Sequence, residues 1–397
     1  MSALFFKRFL KRPFQIASIV PSSKALVERV ARKMDFSGPR VIAEYGPGEG
    51  VHSREIARRM SPDSHLLLFE LDAALSRALE RQFAADPRVH VIHGDEPGPV
   101  LFLSAVVHGD EILGAEIVRR VIRHRSLHKL AGTLLAVPVV NAFGLISHSR
   151  YMPDRRDLNR SFPGSDHGSL ASIVADLFMR EVVLKSDYGI DLHTAAQHRT
   201  NLPQVRIAPG EPDLLQMAEA FGPPVILVSK LREGTLRHCA RDRGVKMLLY
   251  EGGEALRFDE IAIRAGVIGI LRVMKWLAMI APANIARSKV PPAISTTSAW
   301  LRAPEGGLLR AAPLAGDQVA KGEVIGEISD PFGERAVKVI SPENGIVIGR
   351  TNLPIVNRGD ALFHIARVKD PETSRARIGR IGGELAQAPL FDEDEII

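Results

Sequence analysis

A chain of 397 residues has room for about two to four domains, and 45% apolar with 25% charged residues excludes a wholly disordered protein. Lys and Arg outnumber Asp and Glu by 52 to 46. The resulting +6 is thin over this length, so no nucleic-acid partner is expected, and the single Cys239 excludes an internal disulfide framework or a thiolate-rich zinc ribbon.

In chain order, the N-terminal apolar residues are interrupted by Lys7, Arg8, Lys11 and Arg12, which leaves no secretory h-region and points to a reducing, cytoplasmic protein. Ala3 to Val20 reads as a basic capping helix, with contact to an anionic membrane surface as the alternative. Strands are predicted at Val41–Tyr45, Leu66–Phe69 and Val89–Ile92, separated by helices at Ser53–Met60 and Ala74–Ala84. That alternation is the pattern of a parallel, doubly wound sheet, here stopped after three strands. Residues 1–95 are therefore read as a partial Rossmann-like unit.

Residues 96–287 open with a strand at Val100–Val107, a turn His108-Gly109-Asp110-Glu111 and a helix from Ile112 to His124. Further strands are predicted at Thr133–Val139, Tyr188–Leu192, Val225–Val228 and Met247–Tyr250, with helices near Leu170–Leu184 and Glu260–Met279. This is a second α/β unit. Its longest apolar stretch, Ala265 to Ala286, carries Arg272 and Lys275 and reads as a core helix rather than a membrane span. Pro291-Pro292 and Ser295–Ser298 mark a linker. Residues 294–368 are short strands punctuated by turn glycines, a small all-β module, and 369–397 is an acidic tail ending in Asp392-Glu393-Asp394-Glu395.

The chemistry concentrates in the second unit. His108 and Glu111 lie where a strand gives way to a helix, and His193 ends the strand of Asp191-Leu192-His193. The carboxyl ends of parallel strands open on one crevice, so these three side chains can converge. Two imidazoles and a carboxylate leave a fourth tetrahedral position for water, as in an open zinc site, with Asp191 placed to orient a ligand. Asn159 and Arg160, in Asp157-Leu158-Asn159-Arg160, offer an amide and a guanidinium to a carboxylate. Glu251, at the end of Met247–Tyr250, suits a general base.

As a set, His108-x-x-Glu111, Arg150-Tyr151, Asp157-Leu158-Asn159-Arg160, Asp191-Leu192-His193 and Glu251-x-Gly253 resemble the succinylglutamate desuccinylase/aspartoacylase family of zinc amidohydrolases, over about residues 88–368. The resemblance implies a zinc-carboxypeptidase-like mixed sheet with helices on both faces. It also implies a zinc ion held by His108, Glu111 and His193, with Glu251 as the base on the zinc-bound water. Asn159 and Arg160 would grip the substrate carboxylate, Arg150 would lie near the scissile carbonyl or a second carboxylate, and Arg237 is a further substrate-binding candidate. The substrate is then a small N-acyl amino acid or related carboxylate-bearing amide. The alternatives are a carboxypeptidase-like metallopeptidase and a zinc-binding protein without turnover.

The first unit carries Glu44-x-Gly46-x-Gly48-x-Gly50 after a strand, with Glu70 ending the next strand. Glycines allow close backbone approach to a ligand, and an acid in this place suits a ribose hydroxyl pair. With Ile19-Val20-Pro21-Ser22-Ser23 upstream, the segment resembles the first part of S-adenosylmethionine-dependent methyltransferases of the phospholipid or rRNA-adenine type. That resemblance implies cofactor contacts at Glu44, Gly46, Gly48, Gly50 and Glu70, with Asp95 on the adenine edge. The sequence then turns into the hydrolase, so no methyl transfer is expected; an S-adenosylmethionine-binding protein with an accessory hydrolase is the competing reading.

Gly316-Asp317-x-Val319-x-x-Gly322 and Ser341-Pro342-x-x-Gly345 resemble the barrel-sandwich modules of biotinyl and lipoyl carriers. The expected hairpin tip, Asp330 to Arg335, has no lysine, and Lys338 falls in the next strand, so a structural or lid role is expected.

Overall fold

The computed structural model describes residues 23–70, 72–91, 96–281, 285, 291–368, 379, 380 and 383. The predicted helix over 3–20, the Ile19–Ser22 segment, Asp95 and the acidic residues 392–395 lie outside them. Two compact units separate, one ending at Pro99 and including His128–Leu135, the other holding Val100–Leu127 and the chain from Ala136 onward. Among the described residues no helix is long and apolar enough to cross a membrane.

In the first unit β1 (Val41–Tyr45), β2 (His65–Phe69) and β3 (Val89–Val91) form a three-stranded parallel sheet in the order β1-β2-β3. Leu66 and Leu68, alternating along β2, share one face and pack on Ile56, Ala57 and Met60 of the first connection and on Leu79 and Phe83 of the second. Asp72 starts the helix Ala73–Phe83 by accepting from the amides of Ala74 and Leu75. Gly50 enters the helix Val51–Arg59 at φ 69°, and a Cβ there would come within 2.8 Å of Leu79 Cδ2, so both backbone and space require glycine.

The strand series after the first sheet begins with β4 (Glu96–Ala105), β5 (Ala131–Val137), β6 (Tyr188–Ala195), β7 (Arg199–Ile207), β8 (Val225–Val228), β9 (Lys246–Glu254), β10 (Ala293–Ser295) and β11 (Ser298–Arg302). It continues with β12 (Gly307–Ala311), β13 (Gln318–Val319), β14 (Val324–Ser329), β15 (Ala336–Ile340), β16 (Gly345–Thr351), β17 (Ile355–Val356) and β18 (Ala361–Ala366). One large mixed sheet has the order β11-β18-β16-β7-β9-β6-β4-β5, with β8 and β10 following from β7 and β13 paired to β16. β4, β6 and β9 run parallel; β7 is antiparallel to β9, and β16 is antiparallel to both β7 and β18.

β6 is buried along nearly its whole length, which a parallel central strand demands. Its alternation sorts the residues: Ile190 and Leu192 point to one face, Asp191 and His193 to the other. The helix Glu260–Trp276 packs between Leu113–Ile122 and Pro212–Phe221. Gly266 and Gly269 admit Ile117 and the Phe221 ring, either of which a Cβ would strike.

The segment 293–298, predicted as linker, instead carries strand on both sides of its bend: β10 pairs with β8 and β11 with β18. A four-stranded sheet, β15-β14-β12-β17, completes the C-terminal region, with Leu309, Ile325, Ile328, Val339, Leu362 and Phe363 in a common core. Lys338 lies within β15, away from the 330–335 tip.

Candidate metal centre

β4 ends at Ala105, and Val106 turns the chain at φ 55° into the His108–Glu111 turn. Gly109 there lies so close to Gly144 that a Cβ would overlap the Gly144 backbone, which fixes the turn against the helix Ala142–Ile146. His193 and Asp191 arrive on β6, and Glu251 on β9 is the cross-strand partner of His193.

Glu111 lies between the two imidazoles. Its Oε1 is 2.7 Å from His108 Nδ1 and its Oε2 2.7 Å from His193 Nδ1, and the amide of Thr194 also donates to Oε2 at 3.2 Å. All three side chains are buried, and one ligand atom from each lies within 4.8 Å of the others. Each imidazole is held from behind: His193 Nε2 is 2.7 Å from Asp191 Oδ2, and His108 Nε2 is 3.1 Å from Asp157 Oδ1. Asp191 is fixed in turn by Ser104 Oγ, which donates to Oδ1 at 2.6 Å. Arg150 bridges the two acids, donating to Glu111 Oε1 at 3.1 Å and Asp157 Oδ2 at 3.0 Å.

The electrostatics follow from this packing. Burial alone would push the Glu111 carboxyl up, but the two imidazoles outweigh it and hold it below the ordinary carboxylate range. Burial disfavours a protonated imidazole, yet Glu111 and Asp157 outweigh that at His108, and Asp191 and Glu111 do so at His193, so both lie above their ordinary value. A divalent ion fits this donor set: two inward Nδ1 atoms and a carboxylate, with both Nε2 atoms engaged by acids, is the arrangement that orients imidazoles for metal.

The other sequence candidates fall around this centre. Asp157 caps a short 3-10 turn, accepting from the Asn159 amide at 2.8 Å. Asn159 is buried and its Oδ1 accepts from the Leu236 amide at 3.0 Å, tying the motif to the start of the helix Leu236–Arg241. Arg160 donates to the Asn159 carbonyl at 2.6 Å; burial lowers its pKa, Asp157 opposes that, and the neighbouring charges of Arg232 and Arg150 add to the lowering. Arg237 is pushed down to about 10 by burial and by Arg206, against the pull of Glu251 and Asp191, and its Nη1 is buried without a hydrogen-bond partner. Glu251 Oε2 accepts from Asn201 Nδ2 at 2.5 Å and lies 3.2 Å from Arg206 Nη2.

The glycine-rich turn of the first unit makes a separate group. Gly46, Gly48 and Gly50 all have positive φ, near 66°, 60° and 69°. Glu70 is buried, with Oε2 accepting from the Gly48 amide and Oε1 from the Asp72 amide, each at 2.9 Å, while Glu44 Oε2 accepts from Ser53 Oγ at 2.6 Å. The predicted ribose-binding acid thus already braces the turn. Asn201, Arg206 and the acceptor role of Asp157 were not predicted. The signal for the first two was weak, because Pro203 breaks the strand pattern of 199–207.

Residues 97–277 match the succinylglutamate desuccinylase/aspartoacylase catalytic domain, and residues 9–96 match the ribosomal RNA adenine dimethylases. The N-alpha-acetyl-L-2,4-diaminobutyric acid deacetylase of Halomonas elongata is 27% identical over 331 residues, covering 78% of this chain and 96% of that protein. The crystal structure of a succinylglutamate desuccinylase/aspartoacylase from Rhodobacter sphaeroides superposes with a TM-score of 0.61 at 27% identity, over 69% of this chain and 87% of the other. For the first unit, the ornithine lipid N-methyltransferase of Singulisphaera acidiphila is 35% identical over 92 residues, 23% of this chain; the match spans about half of that enzyme, 48%. Residues 97–277 are therefore similar to the succinylglutamate desuccinylase/aspartoacylase catalytic domain, and residues 9–96 to the ribosomal RNA adenine dimethylases.

Proposed function

We propose that this protein is a zinc-dependent amidohydrolase that releases the amine of a small N-acyl amino acid. The observation that carries the reading is the buried His108–Glu111–His193 cluster, with both imidazole Nε2 atoms engaged by Asp157 and Asp191. Bound there, zinc supplies the charge that acidifies water and polarises an amide carbonyl.

The chain's own residues supply the rest. Glu251 sits across from His193 on the neighbouring strand, where its carboxylate takes a proton from the attacking water and returns it to the departing amine. Arg150, already between Glu111 and Asp157, turns its guanidinium toward negative charge growing on the carbonyl oxygen. Arg160 and Arg237 are cations without a carboxylate hydrogen-bonded to either, among the described residues, and they bind the substrate carboxylate beside Asn159. The acids behind the histidines, Asp191 buried and Asp157 half-buried, keep both rings in one orientation, so little reorganisation accompanies the reaction.

The substrate class rests on the relatives: the Halomonas protein is named for deacetylation of N-alpha-acetyl-L-2,4-diaminobutyric acid. N-alpha-acetyl-L-2,4-diaminobutyrate, N-acetylaspartate and N-succinylglutamate, each assayed for free amine, form the first panel. Release of amine from one of them by zinc-loaded protein, abolished in Glu251→Gln, supports the proposal. Turnover of dipeptides with no amine released from any N-acyl amino acid would replace it with the peptidase reading. For the first unit we propose no methyl transfer, since its match spans only 48% of the methyltransferase relative before the sequence turns into the hydrolase-like part.

A further inference from the structure

Among the described residues, Glu251 is gripped on one oxygen only. Its Oε2 receives Asn201 Nδ2 at 2.5 Å and lies 3.2 Å from Arg206 Nη2, and both partners come from β7. Along the antiparallel β7–β9 pair, Gln204 lies opposite Glu251 and Asn201 opposite Gly253, so β7 advances three residues where β9 advances two. Such a bulge re-aims side chains; here residues five apart on one strand reach the same carboxylate oxygen. Gln204, between them and fully buried, donates through Nε2 to the Ile348 carbonyl at 3.1 Å and ties β7 to β16.

The next strand outward closes on this grip. Gly349 of β16 lies opposite Asn201 on one side and His364 of β18 on the other. It is in ordinary strand backbone, so φ does not demand glycine. Space does: a Cβ there would come within 2.6 Å of Asn201 Oδ1, while His364 Cβ and Thr200 O would be at an ordinary 3.5 Å. A Cβ at 349 must therefore displace the Asn201 amide, while the next nearest atoms lie at ordinary contact distance.

We propose that Asn201 and Arg206 are positioning residues that hold Glu251 by its Oε2 and leave Oε1 for proton transfer, and that Gly349 keeps the C-terminal strands clear of the Asn201 amide. The C-terminal strands thereby act on the reaction through Asn201 and Glu251. This rests on the reading of Glu251 as the general base.

The test uses the full chain, zinc-loaded, with N-alpha-acetyl-L-2,4-diaminobutyrate as probe, and crystals of metal-free wild type and Gly349→Ala. Asn201→Ala and Gly349→Ala should each lower kcat roughly 10–100-fold, the scale of a base misplaced by about 1 Å, with KM and zinc content near wild type. In the double variant the added Cβ has no amide to push, so the loss should match Asn201→Ala alone rather than multiply. Arg206→Lys should retain more kcat than Arg206→Ala. In the Gly349→Ala crystal the Asn201 amide and Glu251 should be displaced together. Multiplicative losses, losses confined to KM, or a Glu251 that stays in place in that crystal would overturn the proposal. Full activity in Glu251→Gln would overturn the base reading instead. If the probe is not hydrolysed by any form, the crystal comparison decides: paired displacement supports the clamp, an unmoved Glu251 ends it.

Discussion

Each unit draws a glutamate partly or wholly out of water beside other titratable groups, and the two meet opposite surroundings. Glu111 lies between two imidazoles and beside Arg150, so cations outweigh burial and the carboxyl stays below its ordinary range. Glu44 has one hydroxyl partner and Glu70 nearby; burial comes first, the neighbouring acid adds to it, and Ser53 only partly opposes, so its carboxyl is raised. A buried carboxylate between two imidazoles, whose protons a divalent ion would displace, is suited to hold that ion. A half-buried acid beside another acid, with its neighbour braced by amides, is a structural cost borne by the turn.

Predictions that break or sharpen this contrast can be ranked by size. The largest is Glu251→Gln, which should keep zinc and lose on the order of 1,000-fold in kcat, since general-base catalysis contributes about 100–10,000-fold; amine release and metal analysis on one preparation check both halves. Next is Asp191→Asn, which weakens the hold on His193 Nε2 and should reduce zinc affinity about 10–100-fold in a chelator competition, with the fold intact. Glu70→Ala should cost the first unit about 2 kcal/mol, because the Gly48 and Asp72 amides lose a charged acceptor. Amide-exchange protection of β2 in the full chain reads this, and an unchanged β2 would show that the Glu70 contacts do not stabilise the turn.

The smallest concerns Glu44 and pH. Its folded-state pKa is raised above 4.5, so the folded state holds the proton longer than the unfolded one. Stability present below pH 4.5 is therefore lost as pH rises through the raised value, at up to about 1.4 kcal/mol per pH unit. Glu44→Gln should remove this slope and leave the first unit more stable at pH 7 than wild type. A slope of the same size in the variant would locate the effect elsewhere.

The contrast also shows which parts of the site a sequence carries. His108, Glu111 and His193 are legible because strand ends and the two-residue period place them together whatever the neighbours are. Asp157 is in view within its motif, but its hydrogen bond to His108 crosses from one loop to another. Asn201 and Arg206 stay hidden: Pro203 interrupts the strand pattern, and their meeting with Glu251 depends on antiparallel pairing and a bulge that no local pattern encodes. The same holds for 294–368, whose short strands and turn glycines are plain, whereas the pairing of β16 with β7 is a long-range choice.

The central claim is that His108, Glu111 and His193 hold one zinc ion. Metal analysis of the purified full chain beside His193→Ala tests it most directly. The account predicts about one zinc per wild-type chain and near none in the variant, whose remaining His108 and Glu111 make too few ligands for a stable site. Equal zinc in both proteins, or none in the wild type after reconstitution, would contradict it.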